Sequence, residues 1–425
     1  MSKRTGLILF LLLAAVFLFC NRGAYHGYFQ DDEINAMSWT RFGTTKAFLE
    51  GALQPIYKNC FRAVGFYFFH VTEHWFGLDF PKYVVAIQAL HLLNVWMLWL
   101  LLRRLGAQVF AACFAVAFFA LHAALFDAVW KPTFIFDLLC ATLCLASTLL
   151  WIRGRWIASF VLFWLAYQTK ELAVMLPLVL VGYEFWFGKR RWTKLAVFLA
   201  ASFSFAVQAL VLNPIPSGDY SFHFTPATLA DTLSYYSGRV FLIPLAGLVL
   251  PVAIYRAGNR RTWFGLAAML LYFLPLLFLP GRIESAYCYL PFTGLAIALA
   301  GVAETRKTIE IAAFAMLWLP LDIYRLNVQA AGTLRQDDDI RVWIASAKAF
   351  AKVRPDVTDF AFDGTPDGFR PFGMGATFEY FNGGRTINMV ELSTPEGAKL
   401  SQGNRAAILR WIPSKHRLEI EPPKL

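Results

Sequence analysis

The chain has 425 residues, of which 58% are hydrophobic and only 16% charged, and it carries a net charge of +11. A soluble protein of that composition would be exceptional, so the chain reads as a polytopic membrane protein. Its positive charge falls in short loops between apolar runs, which is an orienting signal and excludes a nucleic-acid interface.

In chain order, a basic head with Lys3 and Arg4 precedes an apolar run over residues 5–19. No small residues mark a cleavage site near Cys20, so the run is expected to be an uncleaved first helix with Arg22 snorkelling at its outer end. Residues 21–82 mix aromatics with charges and form a first extracytoplasmic loop, with interfacial helices expected over 39–53 and 61–76. Ten further spans are expected, over 84–102, 109–126, 133–152, 156–168, 172–187, 195–212, 233–255, 263–279, 287–302 and 309–321. The bundle thus holds about eleven transmembrane helices.

Every second loop is basic: Arg103 and Arg104, Arg153 and Arg155, Lys189 to Lys194, Arg256 to Arg261, then Arg306 and Lys307. That side is expected to be cytoplasmic. The opposite side collects the acids after the first helix, the 127–132 turn, Lys170-Glu171, the 213–231 loop and the 281–284 turn. Residues 322–425 contain no span, and the odd helix count places them outside. They read as a small soluble α/β domain: an amphipathic helix over 334–353, strands over 358–362, 386–392 and 417–421, and a turn at Asp363-Gly364-Thr365-Pro366-Asp367-Gly368. The expected architecture is an all-α polytopic membrane bundle, residues 1–321, with this α/β domain appended.

Four outward-facing groups can carry chemistry: Asp31-Asp32-Glu33; Arg62; Lys170-Glu171; and Arg282, Glu284, Tyr287 and Tyr289. Carboxylates on one wall can take a proton from a hydroxyl. Lys or Arg can hold a phosphate as charge develops on it. Each also has a plainer reading. The three acids make a solvated turn, Lys170 and Glu171 pair with each other, and Arg62 binds headgroups. Arg282 and Glu284 make a solvated loop pair, and the tyrosines belong to an interfacial belt. His91 and Asn94 read as interhelical hydrogen-bonding groups. Asp137, inside a span, must be paired or face a cavity. The cysteines form no metal pattern, although Cys20 and Cys60 share the outer region. Carboxylates without His or Cys suit Mg²⁺ or Mn²⁺ better than Zn²⁺, with Asp32 the expected ligand if a metal binds.

Taken in order, Asp31-Asp32-Glu33, Phe61-Arg62-Ala63-Val64, His91-Leu92-Leu93-Asn94, Lys170-Glu171 ahead of Pro177, and Tyr287-Cys288-Tyr289-Leu290-Pro291 resemble the GT-C integral-membrane glycosyltransferases, in particular the protein O-mannosyltransferase-related branch. The resemblance implies an inverting transfer from a polyprenyl-phosphate-linked sugar to a glycan, lipid or protein acceptor, outside a bacterial inner membrane. It implies that Asp31 or Asp32, with Glu33 beside them, supplies the base. Arg62, Lys170 and Arg282, with His91, Glu171, Glu284, Tyr287 and Tyr289, fall at the donor site. Three departures stand out. Ser285-Ala286 replaces the Glu-Arg common before the Tyr-x-Tyr-Leu-Pro stretch, Trp130 is followed by Lys131 in place of Arg, and no tetratricopeptide extension follows. Two alternatives remain: a flippase for a lipid-linked glycan, and an assembly protein that keeps the fold without catalysis.

Overall fold

The computed structural model describes residues 3–54, 62–212, 218–403 and 405–423. The chain forms a helical bundle with a small C-terminal sheet. Its contacts divide it into two compact units. One takes Met1–Arg22, Glu50–Gly65 and Val85–Asn327; the other takes Gly23–Leu49, Phe66–Val84 and Val328–Leu425. The first loop is therefore shared out between units, whereas the sequence reading kept it with the bundle and began the second domain at Asp322.

Among the described residues, five helices are long and apolar enough to cross a membrane: Phe80–Arg104, Pro132–Ile152, Trp192–Leu212, Arg260–Phe278 and Ser285–Ala303. Two bent pairs and two shorter apolar helices, Gly6–Cys20 and Trp156–Tyr167, accompany them. The expected 109–126 span bends by 47° between Val109–Leu121 and Ala123–Trp130. The break is at His122, whose backbone is extended, with φ −65° and ψ 119°. The expected 233–255 span is not one rod either. Pro226–Phe241 and Ala246–Val252 meet at 81°. Leu242 and Leu245, at φ 62° and 59°, take left-handed conformations on either side of Pro244. The expected 172–187 span begins as a 3-10 turn, Glu171–Met175, and becomes α-helical only from Leu176 to Trp186.

The centre of the first unit is the Ser285–Ala303 segment, 89% of whose apolar window is buried. Its α-helical part, Tyr289–Ala303, lies against the Arg260–Phe273 helix. Glycines make that approach possible. A Cβ on Gly265 would fall 2.2 Å from the Ala298 nitrogen, and one on Gly294 would fall 2.4 Å from the Met269 nitrogen. In lipid no hydrophobic force draws helices together, so close backbone packing through small residues must supply the attraction.

The second unit is built on a four-stranded sheet: β1 (Asp359–Asp363), β2 (Asn388–Glu391), β3 (Ala407–Ile412) and β4 (Arg417–Glu421), in the order β2-β1-β3-β4. β1 runs parallel to both its neighbours and β4 runs antiparallel to β3. Phe360 of β1 stacks on Phe378 at 4.0 Å, and Trp343 lies edge-on to Phe378 at 5.8 Å. All three are fully buried. Three of the strands coincide with expected ones. β3 was missed, as were the helices Pro371–Phe381 and Pro395–Gln402 between strands. The expected turn is present, with Gly364 and Gly368 at φ 73° and 76°.

Two helical expectations are corrected. The separate helices over 309–321 and 334–353 are one helix, Thr308–Val353, of 46 residues. Pro320 removes one backbone donor, but strong helix formers follow it and nothing ends the helix before Val353. The interfacial helix over 39–53 is two helices, Asp31–Thr40 and Thr45–Leu53. Thr44 starts the second by accepting from the Ala47 nitrogen at 3.2 Å.

Gly265→Ala and Gly294→Ala should each cost about 1–3 kcal/mol by overpacking against backbone, read as a lower unfolding midpoint in detergent. Gly332→Ala, on the long helix with nothing near its added Cβ, should leave the midpoint unchanged or raise it by the equivalent of up to about 1 kcal/mol.

Candidate functional site

Within the first unit a chain of alternating charges is assembled from three segments. Arg62 forks onto Glu171, with Nε to Oε1 at 3.0 Å and Nη2 to Oε2 at 2.9 Å. Lys170 donates from Nζ to both oxygens of Asp137 at 2.6 Å. Its ammonium also sits 3.9 Å from the centroid of the Tyr287 ring. Lys170 and Asp137 are 7% and 3% exposed. The adjacent Lys170 and Glu171 therefore do not pair with each other. Lys170 has an extended backbone before a 3-10 turn, and the two side chains go to different partners. Asp137 projects from the first turn of the Ile135–Ile152 helix. With two cations and two carboxylates, this group is neutral.

The remaining candidates of this unit have other partners. Arg282 donates to the Tyr220 hydroxyl, with its guanidinium 4.3 Å from the centre of that ring. It is therefore not paired only within its own loop. The Glu284 carbonyl accepts from the Tyr287 nitrogen at 3.3 Å and opens the Ser285–Cys288 turn. Ser285, at one of the departures from the family pattern, donates to Asp127 Oδ2 at 2.9 Å, and Lys131 pairs with Asp127 at 3.3 Å. His91 and Tyr289 are committed to each other. The tyrosine hydroxyl lies 2.7 Å from His91 Nδ1 and accepts from Asn94 Nδ2 at 3.2 Å, while His91 Nε2 faces the Ala120 carbonyl at 3.2 Å. All three residues are fully buried, so their visible work is to lock helices together. Cys60 lies outside the described residues.

Within the second unit the three acids are not a loop. They form the first turn of the Asp31–Thr40 helix, where the helix dipole favours negative charge. Each has a different environment. Glu33 closes a capping box, its Oε2 accepting from the Gln30 nitrogen at 3.0 Å. Asp31 is 5% exposed and accepts from Arg370 Nε; its Oδ1 accepts from the Asp32 nitrogen at 2.8 Å. The Asp32 side chain is 43% exposed and meets Arg370 Nη2 at 3.4 Å. The approach to this turn is tied to the long helix: Asp337 accepts from the Tyr28 nitrogen and from Gln30 Nε2, both at 2.9 Å. Near the C-terminal end of the Pro371–Phe381 helix, Tyr380 donates to Glu73 Oε1 at 2.8 Å. Burial first, and then this carboxylate, push the Tyr380 phenol above its usual range.

The architecture has a known counterpart. Over 98% of this chain and 94% of that chain, with 16% identity and a TM-score of 0.51, it is similar to ArnT from Cupriavidus metallidurans, solved bound to undecaprenyl phosphate. The likeness is one of fold: a mostly helical chain with several apolar helices and a small C-terminal sheet, similar to the GT-C membrane fold of ArnT. The similarity spans the C-terminal sheet as well as the helices, since 98% coverage leaves no room to omit it. No protein-family model matches the chain, and no curated protein matches it either.

Sequence reasoning missed Arg370, Tyr220 and Asp337, and left Asp137 outside the donor group. Asp137 carried a signal, an acid within an apolar run; the others lie too far along the chain from their partners for spacing to show. Arg370 contacts both Asp31 and Asp32, and among the described residues no three His, Cys, Asp or Glu side chains gather at a point.

Asp137→Asn should destabilise the protein by about 3–5 kcal/mol, because it leaves a buried ammonium without its counter-charge. The double variant Lys170→Met/Asp137→Leu should recover most of that loss. Unfolding midpoints of both in one detergent check this.

Proposed function

We propose that the chain is a GT-C-type membrane glycosyltransferase of a bacterial inner membrane. It moves a sugar from a polyprenyl-phosphate donor, with inversion, to an acceptor hydroxyl of a glycan, lipid or protein on the extracytoplasmic face. The observation that carries this reading is the full-length fold similarity to ArnT, solved with undecaprenyl phosphate. The protein O-mannosyltransferase branch is one form of the same proposal.

In this reading Asp32 is the base. It is the most exposed of the three acids, and a base must reach its proton. It takes the acceptor proton as the hydroxyl oxygen attacks the sugar, and the polyprenyl phosphate leaves with the bond electrons. Arg62 and Lys170 are assigned to the phosphate, with Arg282 as a further cation. Arg62 suits the role by chemistry. Its guanidinium already binds Glu171 through two parallel hydrogen bonds, and a phosphate presents the same pair of acceptors. A cavity of about 380 Å³ in the same unit as Asp32 is walled in part by Tyr25, Tyr28, Asp79, Phe80, Asp338 and Arg341. Rings and carboxylates together suit the C–H faces and hydroxyls of an acceptor sugar.

Mass spectrometry of cell-envelope glycans, with and without the gene, tests the proposal. A modification should vanish in the deletion strain and return on complementation; identical profiles overturn the reading. Asp32→Asn should lower product by about 10²–10⁴-fold with unchanged membrane abundance. Full activity in that variant would move the base elsewhere.

A further inference from the structure

Asp31 and Asp32 are consecutive carboxylates in one helical turn, so they repel, and holding both ionised is costly unless a cation lies between them. That cation comes from the other end of the sequence. Arg370 contacts Asp31 through Nε and Asp32 through Nη2, the latter at 3.4 Å.

The backbone holds the guanidinium in place. Arg370 is the N-cap of the Pro371–Phe381 helix, with Pro371 fixing the first helical position. Phe369 before it is buried and lies edge-on to Trp343, 5.1 Å between ring centres. Gly373 lets this helix reach the acids: a Cβ there would fall 2.3 Å from Asp31 Cβ and 2.6 Å from Asp31 Cα. Two helix N-termini thus meet at Asp31, and their partial positive charges favour an anion there.

We infer that Arg370, supplied by the C-terminal domain, is a positioning residue for the Asp31–Asp32 pair. It fixes Asp31 as a buried anchor and, through its second nitrogen, holds the more exposed Asp32 carboxylate in place. The inference rests on the glycosyltransferase reading, and it makes the C-terminal domain part of the reacting site. A lysine keeps the charge but cannot span two carboxylates as a planar fork does.

The test follows the modified envelope glycan in strains carrying the full-length chain, normalised to folded protein in the membrane fraction. Arg370→Gln should lower product by about 10–100-fold, as expected when a reacting group is misplaced by about an ångström. Arg370→Lys should recover part of that loss. The double variant Asp31→Asn/Arg370→Gln should be no worse than Asp31→Asn alone, because both act through one pair. Arg354→Gln, which breaks an exposed pair with Asp356 in the same domain, should behave as wild type. The inference is overturned if Arg370→Gln matches wild type per folded molecule, if Lys is no better than Gln, or if the two losses add. If wild-type and deletion strains carry the same glycans, the glycosyltransferase reading itself fails. If they differ while Arg370→Gln is fully active, only the role of Arg370 falls.

Discussion

The ion pair between Lys170 and Asp137 states the constraint under which the bundle is built. An ammonium and a carboxylate, both almost wholly withdrawn from solvent, touch at 2.6 Å inside helices made of Leu, Ala, Phe and Val. Neither can be there alone, since removing a charge from water costs several kcal/mol that only a partner at contact distance offsets. The same rule recurs around it. Arg62 brings Glu171, Lys131 brings Asp127, and the fully buried His91 brings Tyr289, Asn94 and a carbonyl. These ion pairs and hydrogen bonds tie one segment of the bundle to another.

The apolar segments were legible from sequence because a membrane demands long uncharged runs. What sequence could not show was where a run bends. His122 turns one span aside with an unstrained extended residue, and the Leu242–Leu245 corner depends on left-handed backbone that no leucine advertises. In the tail, strands bounded by turn residues were found. β3 was not, since its alternating burial on the sheet is set by neighbours distant in the chain. Composition changes near Asp322 within the long helix, yet composition reports the solvent a helix faces and not whether it ends.

The charged groups of the candidate site stand out in the sequence, but their pairings do not. Arg62, Lys170 and Glu171 were recognisable as charges at helix mouths, but adjacency suggested a Lys170–Glu171 pair that the extended backbone at Lys170 forbids. The three acids drew attention as a group. Their division of labour, with Glu33 capping, Asp31 buried and Asp32 open, follows from the helix that begins there and from Arg370, more than 300 residues away. The similarity to ArnT along nearly the whole chain gives the tail a share in the architecture that its composition alone did not suggest.

Consider the Arg62–Glu171–Lys170–Asp137 series as an electrical object. Each elementary charge carried across a bilayer is worth about 2.3 kcal/mol per 100 mV, so a lone lysine at depth would be dragged by the resting voltage of the cell. Here two positive and two negative groups cancel. The field can exert a torque on the series but no net pull. Energising the membrane should then draw the series bodily towards neither face.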